Sequence, residues 1–351
     1  MKTKWIASAA LLAVVAAADV CSAYNTHGEW GTNNPTISAS SVSFPVGSSY
    51  RTALTNVVSR FFNNPSNMWF TQTWGDTSVG LNNGQNEVWF SSSATYSPAV
   101  TYWWNSFWTG DITEADVVFY NGISYTSSMN KTSLLPFGGT LRPFETTAAH
   151  EYGHAAGLLH EADEYNIMGS DWTHIHCNGS TCRSYVGEDA ADGLVALYGS
   201  ASGFQDVCVS LHKYLGVSGE YSTHQKCIMT NSAGTLLASN SFNGQRRYLV
   251  NNAQTVQVEF SFENQGAATQ TVTVGFYVST DSNITTGDTL IATRSLTLSV
   301  DSVLTTRTTV TLPSNLVSGT TRYVGAIIDY NNALAEVDSS NNAAYHIIQV
   351  N

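Results

Sequence analysis

Apolar positions change their period along the chain, and the change divides it in two. In "SSYRTALTNVVSRFF", Leu54, Val57, Val58 and Phe61 recur at helical spacing behind capping serines. "TISASSVSFPV", "NEVWFSS", "AVTYWWNSF" and "ITEADVVFYN" are short runs rich in β-branched and aromatic residues and predict strands; in the last, Val117 and Phe119 share one face and Val118 and Tyr120 the other. A helix is predicted through His150 and His154, with Pro143 in its first turn and Glu145 at its positive end. "VGEDAADGLVALYG" predicts another, stopped by Gly199. Beyond residue 206 the helical period disappears. Val256, Val258, Phe260 and Phe262 alternate, as do Val272, Val274, Phe276 and Val278, with turns at "NQGA", "STDSNITTGD" and "LPSNLVSG". A hairpin is predicted within "YSTHQKCIMTNSAGTLLAS". The pattern therefore predicts a mixed unit over 24–200, a Gly/Ser-rich linker over 201–206 and an all-β sandwich over 207–351.

The first residues read differently again. Lys2 and Lys4 precede an apolar run from Trp5 to Ala18 and a small-residue site ending at Ala23. This predicts a signal peptide over 1–23, too short for a membrane span, and no later segment is apolar enough for one. An exported, extracellular protein is expected, with periplasm or cell surface as alternatives. The formal net charge of −12 argues against nucleic acid or anionic membrane surfaces as partners. Beyond the leader, Cys177, Cys182, Cys208 and Cys227 make an even set, which in an exported chain favours disulfides. Three pairings are open; Cys177–Cys182 and Cys208–Cys227 are the local ones.

The densest chemistry lies in "HEYGHAAGLLHEADEYNIM", residues 150–168. On a helix His150 and His154 lie one turn apart on one face, where two imidazoles reach one ion, and Glu151 stands beside it. His160 would face away on the same helix, so the chain must bend, and Gly157 supplies a residue suited to ending a helix. Three neutral nitrogens with an open fourth position suit a single catalytic Zn2+ rather than a closed structural site.

His150-Glu151-x-x-His154-x-x-Gly157-x-x-His160 resembles the long zinc signature of the metzincin metalloproteases, and Met168 in "YNIMGS" resembles their Met-turn at matrixin-like spacing. The resemblance covers about residues 24–200. It implies an α+β catalytic domain, a mixed twisted sheet with a zinc helix and a C-terminal helix. It also implies zinc on His150, His154 and His160, Glu151 as general base, Met168 as support beneath the metal, and a protein or peptide substrate. In such proteases the segment after the Met-turn lines a specificity pocket, so Asp171 and Trp172 become candidates for its wall. Only Tyr24 to Trp30 separate the leader from this unit, and no cysteine there can cap the zinc.

"FENQGAATQTVTVGFYVSTDSNITTGDTLI" and "RYVGAIIDYNNALAEVDSSNN" resemble the CARDB domain, an immunoglobulin-like module of bacterial surface and secreted proteins, over about 246–346. This implies adhesion to a surface or matrix target, or delivery of the enzyme to one. The competing function class is an adhesin-like binding protein whose zinc domain is structural. Two weaker signals remain. His174 and His176 alternate in "WTHIHC" and read first as loop or wall residues, with a second ion as the alternative. Asp281, Asp288, Glu336 and Asp338 read first as turn acids, with Ca2+ as the unsupported alternative.

Overall fold

A computed structural model of the chain describes residues 24–93, 98–161, 166–169, 174–213, 225–300 and 302–351. The signal-peptide expectation for 1–23 and the pocket-wall candidates Asp171 and Trp172 lie outside the described residues. The N-terminal half begins with β1 (Thr36–Ser40), α1 (Ser49–Phe62), β2 (Thr71–Asp76), β3 (Glu87–Ser91), β4 (Ala99–Asn105) and β5 (Ile112–Tyr120). The sheet order is β2-β1-β3-β5-β4; every pairing is parallel except β4 with β5. Helices α2 (Phe144–Ala155) and α3 (Glu188–Tyr198) complete this half. Leu54, Val57 and Val58 of α1 are buried as their spacing predicts, with Ile37, Val88, Val117, Phe144, Ala148 and Tyr152 in the same core. Phe144 anchors α2 in an aromatic cluster, its ring 4.8 Å from that of Phe119 and 5.7 Å from that of Phe90.

In the C-terminal half, strands Val207–Ser210, Met229–Asn231, Thr255–Asn264 and Ser302–Thr311 form a four-stranded sheet. Ser239–Phe242, Gln245–Val250, Gln270–Ser279, Thr289–Leu298, Thr321–Ile327 and Ala343–Val350 form a six-stranded one. The two alternating rows read from the sequence, Val256 to Phe262 and Val272 to Val278, face each other in one core. Burying such rows stabilises at roughly 25 cal/mol per Å² of apolar surface removed from water.

The expectation of an α+β metzincin-like domain is corrected here. Among the described residues strand accounts for 43% and helix for 13%, in three α-helices. The helices are short, at 14, 12 and 11 residues. Strands also arise where the sequence analysis predicted none: β2 and the hairpin Ile175–Asn178 with Thr181–Ser184. The chain is β-rich throughout, consistent with its abundance of β-branched and aromatic residues. The first predicted strand also ends early. It stops at Ser40, where its register with β2 shifts, and Val42 and Val46 are exposed.

The halves meet through the hairpin 175–184. Cys177 and Cys182 sit opposite each other in it and form a disulfide. Its edge grips the sandwich: the Asn178 side-chain amide donates to the Ile284 carbonyl at 2.9 Å and accepts from the Ile284 amide at 2.7 Å. The Tyr345 hydroxyl donates to Gly179 O at 3.1 Å. Nearby, the buried Lys131 ammonium lies 3.6 Å from the centroid of the Tyr345 ring. The segment expected to be a linker is held as well, with Ala201 N donating to Pro65 O at 2.6 Å and Asp206 buried against the Asn341 side-chain amide at 3.0 Å.

Candidate metal centre

Helix α2 places His150 and His154 one turn apart, their ring centroids separated by 4.8 Å. The helix ends as the glycine predicts. Ala156 is the last residue near helical geometry and Gly157 takes φ +104°. Gly157 N donates to His154 O at 2.9 Å and Leu158 N to Gly153 O at 3.0 Å, the paired bonds of a Schellman stop. A side chain cannot replace this glycine without movement: a Cβ there would lie 2.1 Å from Gly28 O. The reversed chain is stitched to the N-terminal segment by His27 N to Gly157 O (2.9 Å) and Leu159 N to Asn25 O (2.7 Å). Residues 24–30, read from the sequence only as a spacer, therefore belong to the frame that delivers His160.

The three imidazoles converge. His160 Nε2 lies 3.0 Å from His154 Nε2 and 3.1 Å from His150 Nε2. Nitrogens bound at 2.0–2.1 Å to a tetrahedral ion stand roughly 3.3 Å apart, so these positions are close to those of a ligand set. The far nitrogens are committed elsewhere: His150 Nδ1 bonds Ile167 O at 2.7 Å and His154 Nδ1 bonds Leu158 O at 2.8 Å. Each Nδ1 therefore carries the proton and each Nε2 presents a lone pair inward, the tautomer a metal requires. Burial first, then the neighbouring imidazoles of His150 and His160, holds the pKa of His154 well below the usual histidine range. The donor set fits zinc.

Met168 lies beneath, buried, and explains Gly153. A Cβ on Gly153 would meet Met168 Sδ at 2.3 Å. The turn carrying Met168 is fixed by Asn166, whose Oδ1 accepts from Met168 N at 2.6 Å, and its Ile167 carbonyl is the one that orients His150. Glu151 is buried one residue after His150. Its Oε2 accepts from Thr101 Oγ1 at 2.7 Å, and the same hydroxyl lies 3.0 Å from Glu151 O.

Sequence reasoning missed Thr101, Trp103 and His27. Thr101 and Trp103 lie on β4, at the end of the sheet order. The Trp103 ring stacks on His27 at 4.0 Å and lies 6.2 Å from His154. His27 Nε2 bonds His154 O at 2.8 Å. The alternation of "TYW" was the available signal: it puts Thr101 and Trp103 on one face of the strand.

Other candidates fall elsewhere. Asp281 and Asp288 cap turns, accepting from Asn283 N at 2.9 Å and Thr285 N at 2.8 Å. Glu336 accepts from Val207 N at 3.0 Å, and Asp338 from Ser340 N at 2.8 Å. Neither potential metal cluster among the described residues includes these four acids. The proposed Cys208–Cys227 bond does not form; both are buried thiols. Cys208 Sγ faces the Gln265 side-chain nitrogen at 3.4 Å, whereas Cys227 Sγ faces Ser261 Oγ at 3.7 Å, so the two thiols are directed to different neighbours. His174 lies outside regular structure and His176 in the strand Ile175–Asn178; both are buried, and with Glu263 they form a second cluster.

No family model matches the chain, and no curated protein does. Among solved structures, the chain is similar to the CARDB domain of a Pyrococcus furiosus protein crystallised with di-metal ions, at 14% identity and a TM-score of 0.26, covering 42% of this chain and 90% of that one. It is similar to a domain of a putative cell surface protein from Methanosarcina acetivorans at 17% identity and a TM-score of 0.22, covering 29% and 79% respectively. A β-glucosidase from Listeria innocua matches at 15% identity and a TM-score of 0.21, over 39% of this chain and 18% of that one. Part of the chain thus has the CARDB domain of the Pyrococcus furiosus protein as a structural neighbour at low identity, and scores this low carry no argument about the histidine cluster.

Proposed function

We propose that the chain is an exported zinc-dependent endopeptidase. The observation that carries this reading is the convergence of His150, His154 and His160 through Nε2, with two of the Nδ1 atoms held by backbone carbonyls. The metzincin zinc signature supports it at the level of the motif, together with Met168 packed under Gly153. Zinc held by the three histidines would supply a Lewis acid that polarises a peptide carbonyl and acidifies water. Glu151 is the base. It takes the proton of the attacking water and passes it to the leaving amine, with Thr101 fixing the carboxylate orientation. Strand β4, at the end of its sheet, offers an edge along which an extended peptide can lie, with Trp103 beside it. Export is supported by the leader-like sequence and by the Cys177–Cys182 disulfide, which suits an oxidising compartment. No helix among the described residues is long and apolar enough to cross a membrane. The sandwich would serve adhesion or substrate targeting.

The test pairs metal analysis with a general protein-substrate assay on residues 24–351. Bound zinc with cleavage that a chelator abolishes supports the proposal. Bound zinc with no cleavage of any substrate favours the binding-protein class, in which the metal only supports structure.

A further inference from the structure

A second donor set lies where the two halves meet. His174 and His176 come from the N-terminal half, Cys208 and Glu263 from paired strands of the sandwich, and all four are buried. His176 Nδ1 bonds Val209 O at 3.0 Å, which fixes the proton on Nδ1 and leaves a lone pair on Nε2. That lone pair faces two more donors of electron density: Glu263 Oε1 at 3.6 Å and Cys208 Sγ at 3.9 Å. Glu263 Oε1 makes no hydrogen bond. A nitrogen of His174, one of His176 and a carboxylate oxygen of Glu263 all lie within 4.8 Å of one another; Cys208 stands just outside that group, beside His176. A buried carboxylate oxygen beside an imidazole nitrogen and a thiol is a set of donors that one cation can gather.

We propose that His174, His176, Glu263 and Cys208 bind a second, structural zinc ion that pins the two halves together. Around a tetrahedral zinc with ordinary bond lengths, a nitrogen and an oxygen ligand stand about 3.4 Å apart and a nitrogen and a sulfur about 3.6 Å. For these two pairs the observed 3.6 and 3.9 Å need only a few tenths of an ångström of closure, and Cys208, just outside the group of His174, His176 and Glu263, swings inward to complete the set. The charges also close. A thiolate and a carboxylate against one divalent ion leave a neutral centre, which a buried site tolerates. On binding, Cys208 releases its proton to solvent and Glu263 binds as the carboxylate. Four protein ligands leave no open position, so this centre holds structure and does no chemistry. The chemistry of the set, two imidazoles with one thiolate, favours zinc or cobalt over calcium or magnesium.

The experiment is metal stoichiometry with cobalt as a probe, on residues 24–351. Zinc analysis is expected to give two ions per chain. After zinc is replaced by Co2+, a near-ultraviolet thiolate-to-cobalt charge-transfer band is expected; the first cluster contains no cysteine and cannot produce it. Cys208→Ser is expected to abolish the band, and His150→Ala to leave it unchanged. The two readings fail separately: one ion per chain with the band overturns the first centre, and one ion without it overturns the second. If Cys208→Ser does not fold, the wild-type chain still decides through its thiols. Chelation of the cobalt form should make Cys208 reactive to a thiol reagent in step with loss of the band. Two ions without any thiolate band would remove Cys208 from the centre, and a band that survives Cys208→Ser would overturn the assignment.

Discussion

Gly157→Ala tests the feature on which the first centre depends, the reversal that returns His160 to the helix. Two costs are worked from the structure. At φ +104° an L-residue is strained by about 1–2 kcal/mol. The new Cβ would also lie 2.1 Å from Gly28 O, so the N-terminal segment must move. Movement breaks His27 N to Gly157 O and Leu159 N to Asn25 O, each worth about 1 kcal/mol. The expected loss is about 3–4 kcal/mol, a large fraction of the stability of an ordinary domain. Gly199→Ala is the control. Its φ is +73°, but the nearest atom to its Cβ would be Asn67 Nδ2 at 3.4 Å, so it carries the backbone strain without the collision. Urea denaturation of both variants, with m held comparable, gives the difference. Zinc release to a chelator should be faster in Gly157→Ala, because His160 loses its register with His150 and His154. Equal destabilisation of the two variants, with equal zinc release, would refute the argument.

Three further outcomes are expected. His346 is buried with its pKa lowered to about 4, burial being the main cause, while its Nε2 bonds Glu259 O at 2.8 Å. Its unfolded value is 6.5, so the stability contribution is full above that value and lost as pH falls toward 4, amounting to about 3 kcal/mol; the stability–pH slope of His346→Gln should be shallower there, and an unchanged slope would reject this. Residues 24–351, unfolded without reductant, should titrate two free thiols, Cys208 and Cys227, whereas none would mean a second disulfide. Truncation to residues 24–205 should lower the thermal midpoint by several degrees, since Asn178 loses Ile284 and His176 loses Val209 O; an unchanged midpoint would show that the N-terminal half needs nothing from the sandwich.

The histidine cluster and the sandwich core were legible because each rests on a local period. His150 and His154 are one helical turn apart, Gly157 is the only residue type that suits the observed stop, and Val256 to Phe262 alternate on one face. Polar elements were not legible. β2, "TQTWGD", has no alternating apolar row, and its pattern is that of a loop. Glu263 sits at a position that alternation assigns to solvent, yet it is buried, with His176 of the 175–184 hairpin and the Gln265 side chain against it. The cysteine pairing failed for a related reason. Proximity in sequence suggested Cys208 with Cys227, but the strand pairing places Cys208 opposite Glu263 and directs Cys227 to Ser261. The frame built by Asn25, His27 and Trp30 was equally hidden, because its contacts span more than a hundred residues: Trp30 Nε1 donates to Ala155 O at 2.7 Å.

The most direct test of the proposed activity is Glu151→Gln, measured for both zinc content and peptide cleavage. The amide keeps the shape of the side chain and its contact with Thr101, but cannot take a proton from water. The account predicts zinc content equal to that of the wild-type chain and cleavage reduced by several orders of magnitude. Cleavage near the wild-type rate with zinc retained would contradict it.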